Sequence, residues 1–261
     1  MTMNKLLTMV AIVLGALILM YCTVSSIEKQ DAKVLVFSKT NGFRHESIPD
    51  GIRAIQQLGQ QHGFTVETSE DSTVMNEDYL KDFNVIVFLN TTGNILNEQQ
   101  QHEVERFVQA GGGFVGVHAA ADTEYEWPWY GRLVGAYFNG HPGNPNVREG
   151  TLVVVDPDHP ATDSLPTRWT REDEWYNYKE INPDNNDLIQ IDESTYEGGT
   201  NGEDHPMSWY KEYDGGRAFY TGLGHTKETY TEPLYLDHLW GGIQYALGEG
   251  APVDYAKASQ K

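Results

Sequence analysis

Four short apolar runs mark the first half of the chain, each ending in small or polar residues. Lys33–Ser38 (KVLVFS) and Asn84–Leu89 (NVIVFL) are continuous and rich in β-branched residues, as strands buried on both faces are. Between them the spacing of Ile52, Ile55 and Leu58, with Pro49 in the first turn, predicts a helix over Ile48–His62. Phe64–Thr68 reads as a second strand and Glu77–Lys81 as a short helix. Asn97 is placed to cap a further helix to Ala110, with Val104, Phe107 and Val108 inward. Gly111–Asp122 (GGGFVGVHAAAD) follows as a glycine turn, a buried strand at Phe114–Val117, and a sharp turn at His118 into small residues that open a helix.

Strands alternating with helices predict an α/β domain with a doubly wound, mainly parallel sheet and helices on both faces. Such sheets bind ligands at the carboxyl ends of their strands. Loops 39–46, 90–94 and 118–122 then converge on one crevice. From Trp127 the pattern loosens, with strands expected at Thr151–Val155, Glu172–Tyr178 and Asp187–Ile191. Met207–Tyr213 and Arg217–Leu223 flank Asp214-Gly215-Gly216 as a C-terminal β-hairpin. Leu234–Leu247 reads as a closing amphipathic helix. The domain expected is 33–248, with a tail at 249–261.

Residues 1–22 read as a targeting leader, with Lys5 as its positive region and Leu6–Tyr21 as its apolar stretch. Cys22 ends that stretch where a lipidated cysteine would stand, although Tyr21 is larger than the usual preceding residue. A lipoprotein, an ordinarily cleaved exported protein and an uncleaved anchor all remain open. Residues 23–32 read as a linker. The expected location is outside the cytoplasm, in contact with a membrane only through the leader or a lipid.

Composition narrows the chemistry. Cys22 is the only cysteine, so the domain after it has neither a disulfide nor a cysteine nucleophile. The net charge of −20 repels phosphate backbones and argues against nucleic acid as a partner. GxGxxG, P-loop, HExxH, CxxC and calcium-loop patterns are absent.

Nine histidines remain to be sorted. His62, His102 and His238 lie in predicted helices and His159 in a surface-like loop, so solvated or structural roles are expected for them. His45, His118, His141, His205 and His225 follow strands or sit in glycine-rich loops on the predicted rim. Imidazole suits proton transfer near neutral pH and transition-metal ligation. Asp122 and Glu174 are the carboxylates expected to face them. Tyr125, Trp127, Trp129, Trp175, Tyr176, Trp209 and Tyr210 offer planes for sugar rings or, equally, core packing.

KVLVFSKTNGFRHESIPDG, GGGFVGVHAAADT, NGHPGNP, DEWYNY and HPMSWYKEYDGGRAFYTGLGHTKETY together resemble the ThuA-like (trehalose utilisation) family over about Lys33–Leu247. The resemblance implies a flavodoxin-like sheet of the class I glutamine amidotransferase kind and a link to disaccharide catabolism, including sugars oxidised at C3. Where amidotransferases carry a Gly-x-Cys-x-Gly elbow, this chain has Gly116-Val117-His118-Ala119-Ala120. His225 stands where their catalytic base would be. Without a thiol, a glutaminase reaction is excluded.

The function expected is a carbohydrate-active enzyme, hydrolytic or lyase-like, on a disaccharide, glycoside or 3-keto-glycoside. His118 and His225 would act as base and acid, and His45 or a divalent metal would stabilise an oxyanion. Asp122, His141, Glu174, Tyr176, His205 and Trp209 would bind substrate. A zinc or manganese ion on His45, His118, His225 and Glu174 is a further option. The alternative is a non-catalytic sugar-binding lipoprotein using the same crevice.

Overall fold

Five parallel strands form one half of the sheet. In the computed structural model, which describes residues 32–259, these are β1 (Ala32–Phe37), β2 (Phe64–Ser69), β3 (Val85–Leu89), β4 (Gly113–Val117) and β11 (Gly216–Thr221). The leader 1–22, with Cys22, and the linker up to residue 31 lie outside the described residues. Every residue of β3 and β4 is buried, as their unbroken apolar runs require. Four more strands extend the sheet antiparallel: β10 (Pro206–Tyr213), β9 (Asn186–Asp192), β6 (Val147–Val154) and β7 (Arg168–Glu174). The full order is β2-β1-β3-β4-β11-β10-β9-β6-β7.

Several expectations shift; the strand expected at Thr151–Val155 already begins at Val147 as β6. The strand anticipated over Glu172–Tyr178 is instead β7, ending at Glu174, and β8 (Tyr178–Lys179). The latter pairs with β5 (Tyr137–Phe138) in a separate two-stranded ribbon. The chain leaves the edge of the large sheet at Glu174 so that Trp175 can enter the core while Tyr176 turns toward the crevice. The helix expected after His118 is a five-residue 3-10 turn, His118–Asp122. β10 and β11 pair antiparallel across Asp214-Gly215, both at positive φ as a type I′ turn needs.

The helices are α1 (Ile48–His62), α2 (Glu77–Leu80), α3 (Glu98–Gln109), α4 (Pro128–Val134) and α5 (Pro233–Leu247). Asn97 caps α3 in a capping box with Gln100. Ile86 and Ala218 both pair with Phe114, and Phe219 pairs with Val115. Phe88 and Phe114 meet Tyr130 of α4, while Phe219, one residue out of phase, meets His238 of α5. Alternate strand positions face opposite sides, so α4 and α5 cover opposite faces. Among the described residues no helix is long and apolar enough to cross a membrane.

The ends of the domain meet on the side of the sheet away from the strands' carboxyl ends. Asn84, just before β3, accepts from Lys33 N at 2.9 Å and donates to the Ala251 carbonyl at 3.0 Å.

Candidate functional site

The elbow is closely packed, and side chains take up carbonyls that its short turn leaves free. A Cβ on Gly116 would lie 3.0 Å from Tyr220 and 3.2 Å from Ala120 Cβ. His118 takes φ +47°, a conformation that costs a non-glycine residue about 1–2 kcal/mol. A five-residue 3-10 turn leaves carbonyls without helical partners. Buried tyrosines supply them: Tyr220 OH donates to His118 O and Tyr130 OH to Ala120 O, both at 2.7 Å.

Asn90, at the end of β3, joins three loops from beneath. Its Nδ2 lies 3.2 Å from the Gly224 carbonyl, 3.3 Å from Ser47 Oγ and 3.4 Å from Tyr230 OH, and its Oδ1 accepts from Ala119 N (3.4 Å). The segments carrying His45, His118 and His225 are thereby held together. Asp173, fully buried on β7, accepts from the Gly224 and His225 amides at 3.1 Å each. The Glu174 amide, Thr229 Oγ1 and the Arg171 guanidinium complete its shell.

Four donors then converge. His118 Nε2 and His225 Nδ1 lie 3.3 and 3.1 Å from Glu174 Oε2, and 3.3 Å from each other. The His45 ring stands edge-on to both, at 5.0 and 5.1 Å between centroids. One ligand atom from each of His45, His118, Glu174 and His225 falls within 4.8 Å of all the others. His118 Nδ1 is 2.7 Å from the Gly222 carbonyl and must donate to it, so the lone pair of the neutral ring is on Nε2, facing the carboxylate. Buried His45 Nδ1 has no partner among the described residues.

Electrostatics follow from this crowding. Burial alone would raise the Glu174 carboxyl, but the His118 and His225 imidazoles and the Asn146 amide around it outweigh burial and hold the group well below the carboxylate range. Burial, with His118 and His225 adding to it, pushes His45 down to about 2, so it stays neutral. For His225, burial is overcome by Glu174 and the value rises.

Such a set fits a divalent metal. Three imidazole nitrogens and one carboxylate oxygen are donors that zinc or manganese accepts, and bonds of about 2.0–2.2 Å bring ligand atoms within about 4.4 Å of one another. Small side-chain adjustments cover the difference. A cation would also resolve the lone pair aimed at a carboxylate and the partnerless nitrogen. A carbonyl fixing the far nitrogen of a histidine is the usual support for a ligating imidazole.

Above the cluster lies a cavity of about 290 Å³ bordered by His45, Asp122, His141, Glu174, Tyr176 and His225, with Phe43, Phe138 and Asn146. His141 Nδ1 lies 2.9 Å from the Pro142 carbonyl, and its Nε2 is 3.4 Å from Glu174 Oε1. Asp122 accepts from Tyr125 OH at 2.6 Å, and burial raises its carboxyl against that bond. The Tyr176 ring lies 4.1 Å from that of His118.

Not every expected residue is at the site. His118 is wholly buried beneath the cavity and does not border it. His205 is also buried, with Nε2 at 2.8 Å from the Tyr176 carbonyl and Nδ1 at 2.8 Å from Glu193, so it supports Tyr176 from behind instead of touching a ligand. Trp209 is a core residue, stacked on Tyr220 and donating to the Val134 carbonyl. Its position on a buried strand turns it into the sheet's interior packing. His159 is buried as well, its Nδ1 accepting from Ala161 N, and is not a surface histidine. Asn146, which donates to Glu174 Oε1 at 2.6 Å, and Asp173 were not anticipated. Nothing local marks Asn146, whereas an acid beside Glu174 on the same strand is a detectable signal for Asp173.

The model of the trehalose utilisation (ThuA) family matches residues 33–246. A ThuA-like protein from Bacteroides uniformis shares 23% identity and a TM-score of 0.71, covering 84% of this chain and 92% of its own. One from Parabacteroides merdae shares 21% and 0.67, covering 89% and 93%. A β-galactosidase from Bacillus circulans shares 14% and 0.53 over 85% of this chain but 32% of its own length. At these identities the likenesses establish the fold alone. No curated protein sequence matches the chain.

Proposed function

The chain belongs to the ThuA (trehalose utilisation) family, and from that premise we propose that it is a carbohydrate-active enzyme cleaving the glycosidic bond of a disaccharide, glycoside or 3-keto-glycoside. The observation that carries this reading is the convergence of three imidazoles and a carboxylate at strand ends, directly under a cavity walled by His141, Asp122 and Tyr176. A divalent ion held by His45, His118, Glu174 and His225 would supply a Lewis acid for a substrate oxygen.

Proton transfer falls to groups that border the cavity, not to buried His118. His141 donates its Nδ1 hydrogen to the Pro142 carbonyl, which leaves Nε2, 3.4 Å from Glu174 Oε1, as a base. Asp122, its carboxyl raised by burial, suits the acid role. On a 3-keto-glycoside the ketone acidifies the hydrogen on C2. His141 removes that proton, its electron pair forms the C1–C2 double bond, and the bond from C1 to the glycosidic oxygen breaks. Asp122 protonates the departing oxygen. The products are an unsaturated keto sugar and the free alcohol, and proton return from His141 to Asp122 through solvent restores the enzyme. Tyr176 and Phe138 provide planes for the ring.

The test is turnover of 3-keto-trehalose and simple 3-keto-glycosides by wild type and His141→Ala. A loss of about 10²–10⁴-fold is expected. Undiminished turnover in the variant removes the base assignment, and calorimetric saccharide binding without any turnover returns the crevice to a binding role.

A further inference from the structure

The crevice has a second chamber, of about 420 Å³, and Phe43, His45 and His225 border both chambers. The two differ in chemistry. The first is walled by the Phe138 and Tyr176 rings, whose centroids are 4.3 Å apart. The second is the more polar of the two, bordered by Glu46, Ser47, Thr226, Lys227 and Glu228 along with Val147. There Lys227 Nζ donates to Glu46 Oε2 at 2.8 Å, placing an ammonium and a carboxylate side by side on its wall.

Phe43 stands between the chambers and is 64% exposed. Its loop is not free to fold the ring away. Asn41 N donates to the Thr92 carbonyl at 2.8 Å, Gly42 N to Thr92 Oγ1 at 3.1 Å, and Thr92 Oγ1 to the Phe43 carbonyl at 3.0 Å. The ring meets His45 edge-on at 4.9 Å. An isolated exposed aromatic is ordinary on a protein surface. One pinned at the junction of two chambers, against a buried imidazole, is placed where a ligand would cover it.

We propose that the crevice binds two saccharide rings in tandem, with the linking oxygen beside His45 and His225 and with Phe43 as the divider. This rests on the glycosidic-cleavage reading above and specifies its substrate as a disaccharide. The ring that reacts lies in the aromatic chamber, against Tyr176 and within reach of His141 and Asp122. The ring that leaves lies in the polar chamber, where its hydroxyls find the Lys227 ammonium as donor and the Glu46 carboxylate as acceptor. Beyond Phe43, His45 and His225, which it shares with the first chamber, the polar chamber offers an aromatic aglycone no further ring. Both chambers are of the scale of small-molecule sites, roughly 300–1,000 Å³.

The experiment compares 3-keto-trehalose with methyl 3-keto-α-glucoside on the full chain, as wild type, Lys227→Met and Phe138→Ala. Lys227→Met is expected to lower kcat/KM about tenfold more on the disaccharide than on the methyl glycoside, the loss of one charge-assisted hydrogen bond. Phe138→Ala lowers both to a similar extent. Equal losses on the two substrates in Lys227→Met, or none, overturn the tandem arrangement while leaving the cleavage reading intact. Calorimetry with trehalose and methyl α-glucoside reads the same ratio as affinities. A wild type that neither binds nor turns over any saccharide removes both proposals.

Discussion

His118 Nδ1 lies 2.7 Å from the Gly222 carbonyl oxygen, and this one contact aims the opposite nitrogen at Glu174. Asparagine can reproduce the contact, because its amide reaches where Nδ1 does and it tolerates positive φ, but it offers no second nitrogen. His118→Asn is therefore expected to fold and to lose bound metal. Mass spectrometry should find about one equivalent of zinc or manganese per wild-type chain and little in the variant. Equal content in the two would falsify the ligand assignment.

Asp173 is fully buried, and Arg171 beside it is nearly so. Asp173→Asn leaves a guanidinium less well compensated and the Gly224 and His225 amides sharing a weaker acceptor. A stability loss of about 3 kcal/mol in urea titration is expected. Activity should fall further than stability explains, since His225 is carried by the loosened amides. A variant as stable as wild type would show that the carboxylate is not what holds this loop.

Acid should destabilise the domain through His238. Burial pushes this imidazole down to about 4 against the Ala161 carbonyl, to which Nδ1 donates, while Nε2 accepts from Thr221 Oγ1. The unfolded chain binds the proton near pH 6.5, the folded one only near 4, so stability is full above that window and falls as pH drops through it. The contribution is at most roughly 3 kcal/mol. His238→Gln should flatten the fall in urea midpoint between pH 6.5 and 4.5; an unchanged slope assigns the effect to other groups.

Gly116→Val should show how tightly the elbow is packed. With Tyr220 and Ala120 already at 3.0 and 3.2 Å from a Cβ, two further methyls are expected to cost about 1–3 kcal/mol. Because Tyr220 also bonds the His118 carbonyl, metal content should drop with stability. A variant with both intact would mean that the turn relaxes freely.

Sequence alone carried the parallel half of the fold and the core of the site. Lys33–Ser38 and Asn84–Leu89 are legible because a strand buried on both faces has no alternative composition. His45, His118 and His225 are legible because topology brings strand ends to one rim; Glu174 is expected with Asp122 as a carboxylate to face them. Side-chain direction is a different matter. Topology could not tell that His205 props Tyr176 from behind, that Trp209 points into the core, or that His118 lies below the cavity. The antiparallel half, with strand order β10-β9-β6-β7, depends on long-range pairing that no local pattern encodes. Asn146 reaches Glu174 from a loop whose shape only the finished fold defines.

Asn84 bridges Lys33 and Ala251 at the end of the sheet remote from the crevice. For anyone handling the protein, that geometry decides orientation. A tag or surface linkage joined at either boundary of the domain leaves from the closed side, so an immobilised sample keeps its chambers open to solution. Sensor-chip measurements of saccharide affinity therefore need no choice between termini, and the two attachments should return the same binding constant.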